Sequence, residues 1–210
     1  MSYAIKEIFY TLQGEGANSG RAAVFCRFSG CNLWSGREVD RQSATCRFCD
    51  TDFRGTDGAG GGRFETAQEL ASVVRLRWPG EDGTPLVVLT GGEPMLQVDD
   101  ALIDAVHATG MKIAIESNGT LSVPRKIDWI CISPKAGAPM VQTSGDELKL
   151  VYPQAGVAPR DCEMLDFKHF FLQPMDGKDV HANTAATVEY CRLHPKWRLS
   201  LQVHKIVGIP

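Results

Sequence analysis

No stretch of the chain approaches the ~20 consecutive apolar residues that a membrane-spanning helix needs. The opening segment, MSYAIKEIFYTLQGEG, lacks a basic run followed by an apolar one. No signal peptide is therefore expected, and a cytoplasmic location is the default reading. Basic residues are not in excess: 22 Lys and Arg face 25 Asp and Glu, for a net charge of −3. That balance lacks the electrostatic footprint of a nucleic-acid binder. There is no internal repeat and no heptad array. The glycine-rich run GTDGAGGG at 55–62 is followed by no Lys-Ser/Thr pair, so it reads as a flexible loop and not a phosphate cradle. Seven cysteines cannot all pair with one another, and without an export signal free thiols or metal ligation are favoured over disulfides.

What is present is an ordinary globular composition, 43% hydrophobic and 22% charged over 210 residues. This length fits one domain with a substantial core. Apolar β-rich runs alternate with helical patterns. Strands are expected at 22–28, 85–92, 111–117, 128–133, 147–152, 168–174 and 197–207, and helices at 65–78, 95–110 and 181–194. Thr66 and Glu69 have capping-box spacing at the first helix, with Leu70, Val73 and Val74 on one face. Gly110 stands where the second helix should close. The alternation predicts a mostly parallel α/β sheet with helical crossovers. Helices are too few for eight complete units, and none is evident between Gly119 and Pro174. A partial, open βα barrel is the expected architecture.

Parallel α/β folds build their sites at the carboxyl ends of strands. Cys31 follows the first expected strand, and Gly91, Gly92 and Glu93 the second. Ser117 and Asn118, then Ser133, Pro134 and Lys135, then Gln173 to Asp176 end later ones. His204 lies in the last expected strand, and a parallel course there would bring the Pro210 carboxylate to the same rim.

Cys31, Cys46 and Cys49 form a C-x14-C-x2-C pattern that is one ligand short of a tetrahedral structural site. Three thiolates suit a [4Fe-4S] cluster with one iron open to an outside ligand. The competing reading adds Cys26 as a fourth ligand for structural zinc. Against it, Cys26 alternates with Val24 and Phe28 on one apolar strand face, where a small buried hydrophobe is the simpler role. Cys131, Cys162 and Cys191 are expected to be inert.

Three cluster cysteines after one strand and a GGEP turn after the next resemble the radical S-adenosylmethionine (SAM) superfamily. The usual spacing there is C-x3-C-x2-C, so this chain carries eleven extra residues, and the domain expected is 1–210 with an insertion at about 32–45. A longer loop adds only a logarithmic closure cost. TLQGEG, CRFSGCNL, CDTDF, LTGGEP, ESNG, SPK and QPMD together resemble the 7-carboxy-7-deazaguanine synthase family. The resemblance implies a radical-SAM-type open barrel with a reduced number of helices. It implies conversion of 6-carboxy-5,6,7,8-tetrahydropterin to 7-carboxy-7-deazaguanine with loss of ammonia, on the way to queuosine and other 7-deazapurines. It also implies a [4Fe-4S] cluster, SAM, Mg2+, a homodimer and a separate electron donor.

Residue roles follow from the same resemblance. Cys31, Cys46 and Cys49 would hold the cluster, and Thr51, assisted by Asp50, would meet magnesium, a hard cation that prefers oxygen. SAM would be met by Phe48, Asp50, Gly92, Glu93, Ser117, Ser133, Pro134, Lys135, Gln173, Pro174, Met175 and Asp176. Within this set Gly91 and Gly92 would let backbone approach the methionine moiety, and Glu93 would orient its amino group. The pterin would be met by Leu12, Gln13, Gly14, Glu15, Arg27, Thr90, His204 and Pro210. Arg27 has the planar fork for carboxylate capture, or alternatively serves a structural ion pair. No side chain is a certain catalytic residue, because the radical would be generated on the cofactor. Two other functions stay open: a radical-activating enzyme acting on a partner protein, and a non-enzymatic zinc module.

Overall fold

A computed structural model describes residues 2–80 and 82–210. One nine-stranded sheet organises it: β1 (Tyr3–Leu12), β2 (Ala22–Phe28), β3 (Gly62–Phe64), β4 (Leu86–Gly91), β5 (Lys112–Ser117), β6 (Trp129–Ile132), β7 (Ser144–Tyr152), β8 (Asp166–Pro174) and β9 (Trp197–Leu199). The order is β3-β1-β2-β4-β5-β6-β7-β8-β9. From β2 to β9 every neighbouring pair is parallel, while β1 runs antiparallel to both β2 and β3. The first and last strands of the order do not pair, so the barrel is open. Among the described residues no helix is long and apolar enough to cross a membrane.

Period-two alternation sorts each strand onto two faces. Val24, Cys26 and Phe28, Val87 and Leu89, Ile113 and Ile115, and Leu148 and Leu150 join the main apolar core. Packed against it are α1 (Ala67–Leu76) and α2 (Asp100–Ala108), through Leu70, Val74, Leu102 and Ile103. The other face starts apolar, with Ala23, Leu86, Val88 and Ala114 in a small second cluster. Toward the carboxyl ends the same face turns polar: Arg27 on β2, Thr90 on β4, Glu116 on β5, Lys149 on β7 and Gln173 on β8. That gradient puts chemistry at one mouth and apolar filling at the other.

Helix ends follow local side-chain chemistry. Thr66 Oγ1 accepts from Glu69 N at 3.1 Å, but the Glu69 carboxylate accepts from Glu65 N instead of Thr66 N, so the expected capping box is half formed. The helix expected over 95–110 begins later. Pro94–Leu96 makes a separate 3-10 turn, and Asp99 caps α2 by accepting from Leu102 N at 2.9 Å. Gly110 then closes the region at φ +80°. A four-residue α3 (Pro159–Cys162) and α4 (Val180–Leu193) complete the outer layer.

Besides the short β3 and α3, which are additional to the expected elements, two regions that bear on the site differ from expectation. β1 has no counterpart among the expected strands, because a register shift between Ile5 and Glu7 breaks its alternation. The strand expected over 197–207 is only the three residues of β9, followed by α5 (Val203–Val207). Ser200 turns the chain inward: its N–H donates to Leu172 O and its hydroxyl receives Gly16 N–H. Val203 N–H then donates to Gly14 O at 2.9 Å, and Gly208 ends the helix at φ +72°.

Candidate active site

A cavity of about 450 Å3 opens at the carboxyl ends of the parallel strands. The segment after β1 crosses its mouth, so residues distant in the sheet meet. Gln13 Nε2 donates to Glu116 Oε1 at 2.8 Å, Lys149 Nζ binds Glu15 Oε2, and Ala17 N–H donates to Glu147 Oε2 at 2.9 Å.

Cys31, Cys46 and Cys49 line one wall, none in a disulfide. Leu33 N–H donates to Cys31 Sγ at 3.4 Å. A hydrogen bond from Cys46 draws the Cys49 thiol down to about 6, against the effect of burial. Burial raises Cys31. No three or more His, Cys, Asp and Glu side chains among the described residues gather tightly enough for a single metal ion. Cys46 and Cys49 are in side-chain contact with each other, and Cys31 faces the same cavity. Cys26 is fully buried in the outer core, on the opposite strand face from the cavity-lining Arg27, which removes the fourth ligand of the zinc reading.

The GGEP turn is bolted to the Cys31 segment. Gly92 N–H donates to Phe28 O and Glu93 N–H to Gly30 O, at 3.2 and 2.9 Å. A Cβ on Gly92 would lie 2.1 Å from Gly30 O, and one on Gly91 2.3 Å from Phe28 O. These glycines admit another stretch of the protein's own backbone, and both line the cavity. The expected role of Glu93 is corrected. It is fully buried and absent from the cavity wall, and its carboxylate accepts from Ser117 Oγ, Asn118 N and Met95 N at 2.9, 2.7 and 2.9 Å. Its carboxylate thereby joins the GGEP turn to the end of β5.

Opposite the thiols lies a set of charges. Lys149, 4% exposed, contacts both Glu15 and Glu116, the latter at 3.4 Å. Burial opposes charge at both partners, yet the carboxylates hold Lys149 well above its ordinary value and Lys149 holds Glu15 below its own. Gln173 and Gln202 each donate to Glu15 Oε1 at 3.1 Å. Lys135 is different: it donates to Ser133 O and Oγ at 2.6 and 2.7 Å and enters no ion pair among the described residues. Burial lowers its pKa, and a cation without a partner at the cavity wall is chemically ready for an anionic ligand. Lys205 on α5 bridges Asp50 and Asp176 at 2.6 and 2.5 Å, tying the cysteine loop to the end of β8.

No family model matches the chain. Full-length curated relatives do. The chain is 63% identical over 209 residues to the 7-carboxy-7-deazaguanine synthase of Bradyrhizobium diazoefficiens, and 59% over 210 to that of Burkholderia multivorans, with 100% of both chains covered in each case. The crystal structure of QueE from Escherichia coli superposes with a TM-score of 0.70 at 26% identity, covering 97% of this chain and 95% of that one. The chain belongs to the 7-carboxy-7-deazaguanine synthase family.

Within this synthase-family fold, all but three of the residues expected from sequence line the cavity. The exceptions are Glu93, Pro134 and Met175. Pro134 O accepts from Gln154 Nε2 at 3.3 Å, and the Met175 backbone is held by Tyr152 O and Asn183 Nδ2. Arg27 forms the structural ion pair considered for it, donating to Glu7 Oε1 at 2.7 Å, and it also lines the cavity. His204 reaches the rim from a helix and not a strand, packed so closely on Gly14 that a Cβ there would fall 2.2 Å from its Nδ1. Pro210 O accepts from Thr11 Oγ1 at 3.0 Å. Sequence reasoning missed Lys149, Glu116, Gln202 and Lys205. Lys149 stands between two leucines in ELKLVY and Glu116 follows the apolar run IAI in KIAIES, and that was the available signal.

Proposed function

We propose that the chain carries out its family's reaction, the conversion of 6-carboxy-5,6,7,8-tetrahydropterin to 7-carboxy-7-deazaguanine with loss of ammonia. The observation that carries this reading is the meeting of three free thiols and a charged pterin-sized chamber in one cavity. Cys31, Cys46 and Cys49 would hold a [4Fe-4S] cluster. Bound there, cluster and SAM supply reductive carbon–sulfur cleavage and thereby hydrogen abstraction from substrate.

The chain's own residues position and isolate. Lys135, the unpaired cation, is suited to a carboxylate of SAM, with Ser117, Ser133 and the Gly92 backbone beside it. Phe48, Asp50, Gln173, Pro174 and Asp176 would border the adenosine. Thr51 and Asp50 offer oxygen to Mg2+. Arg27 captures the pterin carboxylate. Glu15, Glu116, Gln13 and the Pro210 oxygen accept from the guanidine-like edge, and Lys149 pairs with both carboxylates. Leu12, Gly14, Thr90 and His204 complete the contact. Phe9 and Phe25, stacked at 5.5 Å, wall the chamber with apolar surface. The whole chain acts as one domain, with 32–45 as an insertion in its cluster loop. It works as a homodimer and draws electrons from a separate donor.

Anaerobic reconstitution with iron, sulfide, reductant and SAM tests this, with and without the pterin. Product should form with no protein partner, and label should pass between substrate and the deoxyadenosine methyl group. Brown, iron-loaded protein that leaves the pterin untouched would reject the substrate; colourless protein with one zinc per chain would reject the cluster.

A further inference from the structure

The 32–45 insertion contributes little core of its own. Leu33 and Trp34 are buried, but Val39 is 87% exposed, and the 3-10 turn Glu38–Ser43 has no buried residue. Cys46 is tied at its own end, where Thr45 N–H and Cys46 N–H both donate to Leu33 O at 3.1 and 3.3 Å, and the stretch from Arg47 to Cys49 needs a further hold. Arg41 is at the centre of the loop's contacts. Its Nε and Nη2 donate to the two oxygens of Glu38 at 2.8 and 2.6 Å. Its Nη1 donates to Arg47 O at 2.8 Å and Cys49 O at 3.0 Å. Among the described residues no other donor reaches either carbonyl.

The guanidinium also lies 4.0 Å from the centre of the Trp34 ring. Trp34 in turn donates from Nε1 to Arg37 O at 3.1 Å and meets Phe53 edge-on at 5.6 Å. Phe53 is 1% exposed. A continuous set of contacts therefore runs from the buried body, through Phe53 and Trp34, to Arg41, and ends on the backbone of the C-x2-C segment. Glu38 fixes the plane of the fork. Cation–π stacking and bidentate pairing together require a flat, many-donor cation, which lysine is not.

We propose that Arg41 is a positioning residue for the iron–sulfur site: it holds the C-x2-C backbone so that Cys46 and Cys49 face Cys31 before iron arrives. This rests on the cluster reading above. It gives the extra residues of the C-x14-C spacing a purpose, since a compact C-x3-C loop has no length from which to supply such a brace. Groups that orient metal ligands from behind typically change metal affinity or activity 10–100-fold when removed.

The test compares wild type with Arg41→Met, Arg41→Lys and Glu38→Gln, each reconstituted anaerobically. Thermal midpoints of the apo proteins, iron and sulfide per chain, and the rate of bleaching in air are measured. Expected are apo midpoints close to wild type for all. Wild type should take up about four irons per chain. Arg41→Met should bleach about ten-fold faster or more and bind substoichiometric iron, and Arg41→Lys should not rescue it. Glu38→Gln, which leaves both carbonyl contacts in place, should bleach about two-fold faster, the scale of one surface ion pair. If Arg41→Met does not fold, Arg41→Lys decides the matter, and its bleaching at the wild-type rate then overturns the proposal. Iron content and bleaching of both Arg41 variants equal to wild type overturn it while leaving the cluster reading intact. Wild type that takes up no iron overturns both.

Discussion

The two faces of the same strands obey different physics. On the outer face, Val24, Leu89, Ile113 and Leu148 bury against helices, and each contributes through area removed from water. On the inner face, an odd number of residues away along each strand, Arg27, Thr90, Glu116 and Lys149 surround a cavity. Their burial is unfavourable unless each charge is paired. The outer face therefore tolerates a change of shape in proportion to its size. The inner face tolerates very little change of charge, because Lys149 is shared by two carboxylates and each of these is in turn held by glutamine amides. A fold that needs only the first face for stability is free to keep the second for chemistry.

The largest expected effect is on that inner charge set. Lys149→Met leaves Glu15 and Glu116 buried without a cation, and should lower stability by about 3–5 kcal/mol. Turnover at saturating SAM should fall at least about a hundred-fold. Adding Glu15→Gln and Glu116→Gln to Lys149→Met should restore most of the stability and none of the turnover. If stability does not return, the inner face is structural after all and the contrast fails. Urea midpoints and product formation on the same preparations decide it.

The pH dependence sharpens the same point through its sign. Burial alone would raise Glu15, but Lys149 and Gln202 outweigh it and hold the group below its ordinary value of 4.5. Its native contribution is thus present above 4.5 and is lost as pH falls through the lowered value. Lys149 is raised above 10.5, so its contribution is complete below 10.5 and is lost as pH rises through the raised value. Between these limits the pair gives wild type a flat stability profile. In Lys149→Met burial, the largest single influence on Glu15, is opposed only by Gln202 and His204, and its native pKa is expected to rise above 4.5. Stability of that variant should then increase on acidification from neutral toward pH ~5, the opposite slope to acid denaturation. Urea midpoints across that range that fall for both proteins would refute the assignment of the charges.

How much of this was legible beforehand depended on whether a residue's role was local. Strand β4 and the GGEP turn were readable, because a continuous apolar run ending in two glycines is a local pattern. The outer position of Cys26 followed from period-two alternation alone. β1 was hidden because its bulge breaks that period. α5 was hidden because WRLSLQVHKIV carries β-branched and apolar residues, and only the remote partners Leu172, Gly16 and Gly14 turn Ser200 and Val203 out of the strand. The site was legible wherever a motif sat at a strand end. Lys149 and Lys205 were missed because each acquires its role from carboxylates 29 or more residues away, at Glu15, Glu116, Asp50 and Asp176, a pairing that no window of sequence displays. Asp176 was assigned to SAM for its place after β8, without the lysine that holds it.

A core substitution gives the next effect in size and isolates the other face. Leu89 is fully buried in the main core, one residue before Thr90. Leu89→Ala should cost about 3 kcal/mol, the transfer of the lost methyl and methylene groups plus the cavity they leave. Its urea midpoint should fall by the corresponding amount at unchanged slope. The folded fraction should still bind iron and turn over within about three-fold of wild type. Loss of iron in fully folded Leu89→Ala would mean that the two faces are mechanically coupled through β4, and the separation argued from alternation would not hold.

The smallest effect should come from Lys205, which joins Asp50 to Asp176 at the cavity rim. Its side chain is 41% exposed, so solvent screening limits its contribution to stability to about 1 kcal/mol or less. Lys205→Met should leave the thermal midpoint nearly unchanged. Its effect belongs instead to binding, because the pair of contacts holds α5, and with it His204, against the loop that carries Cys49. The KM for the pterin should rise several-fold with kcat little altered, and the difference from wild type should shrink as salt is raised, since an exposed ion pair is screened within a Debye length. A salt-independent loss of kcat would place Lys205 in the chemistry and move the boundary between scaffold and site from the inner strand face out to the last helix.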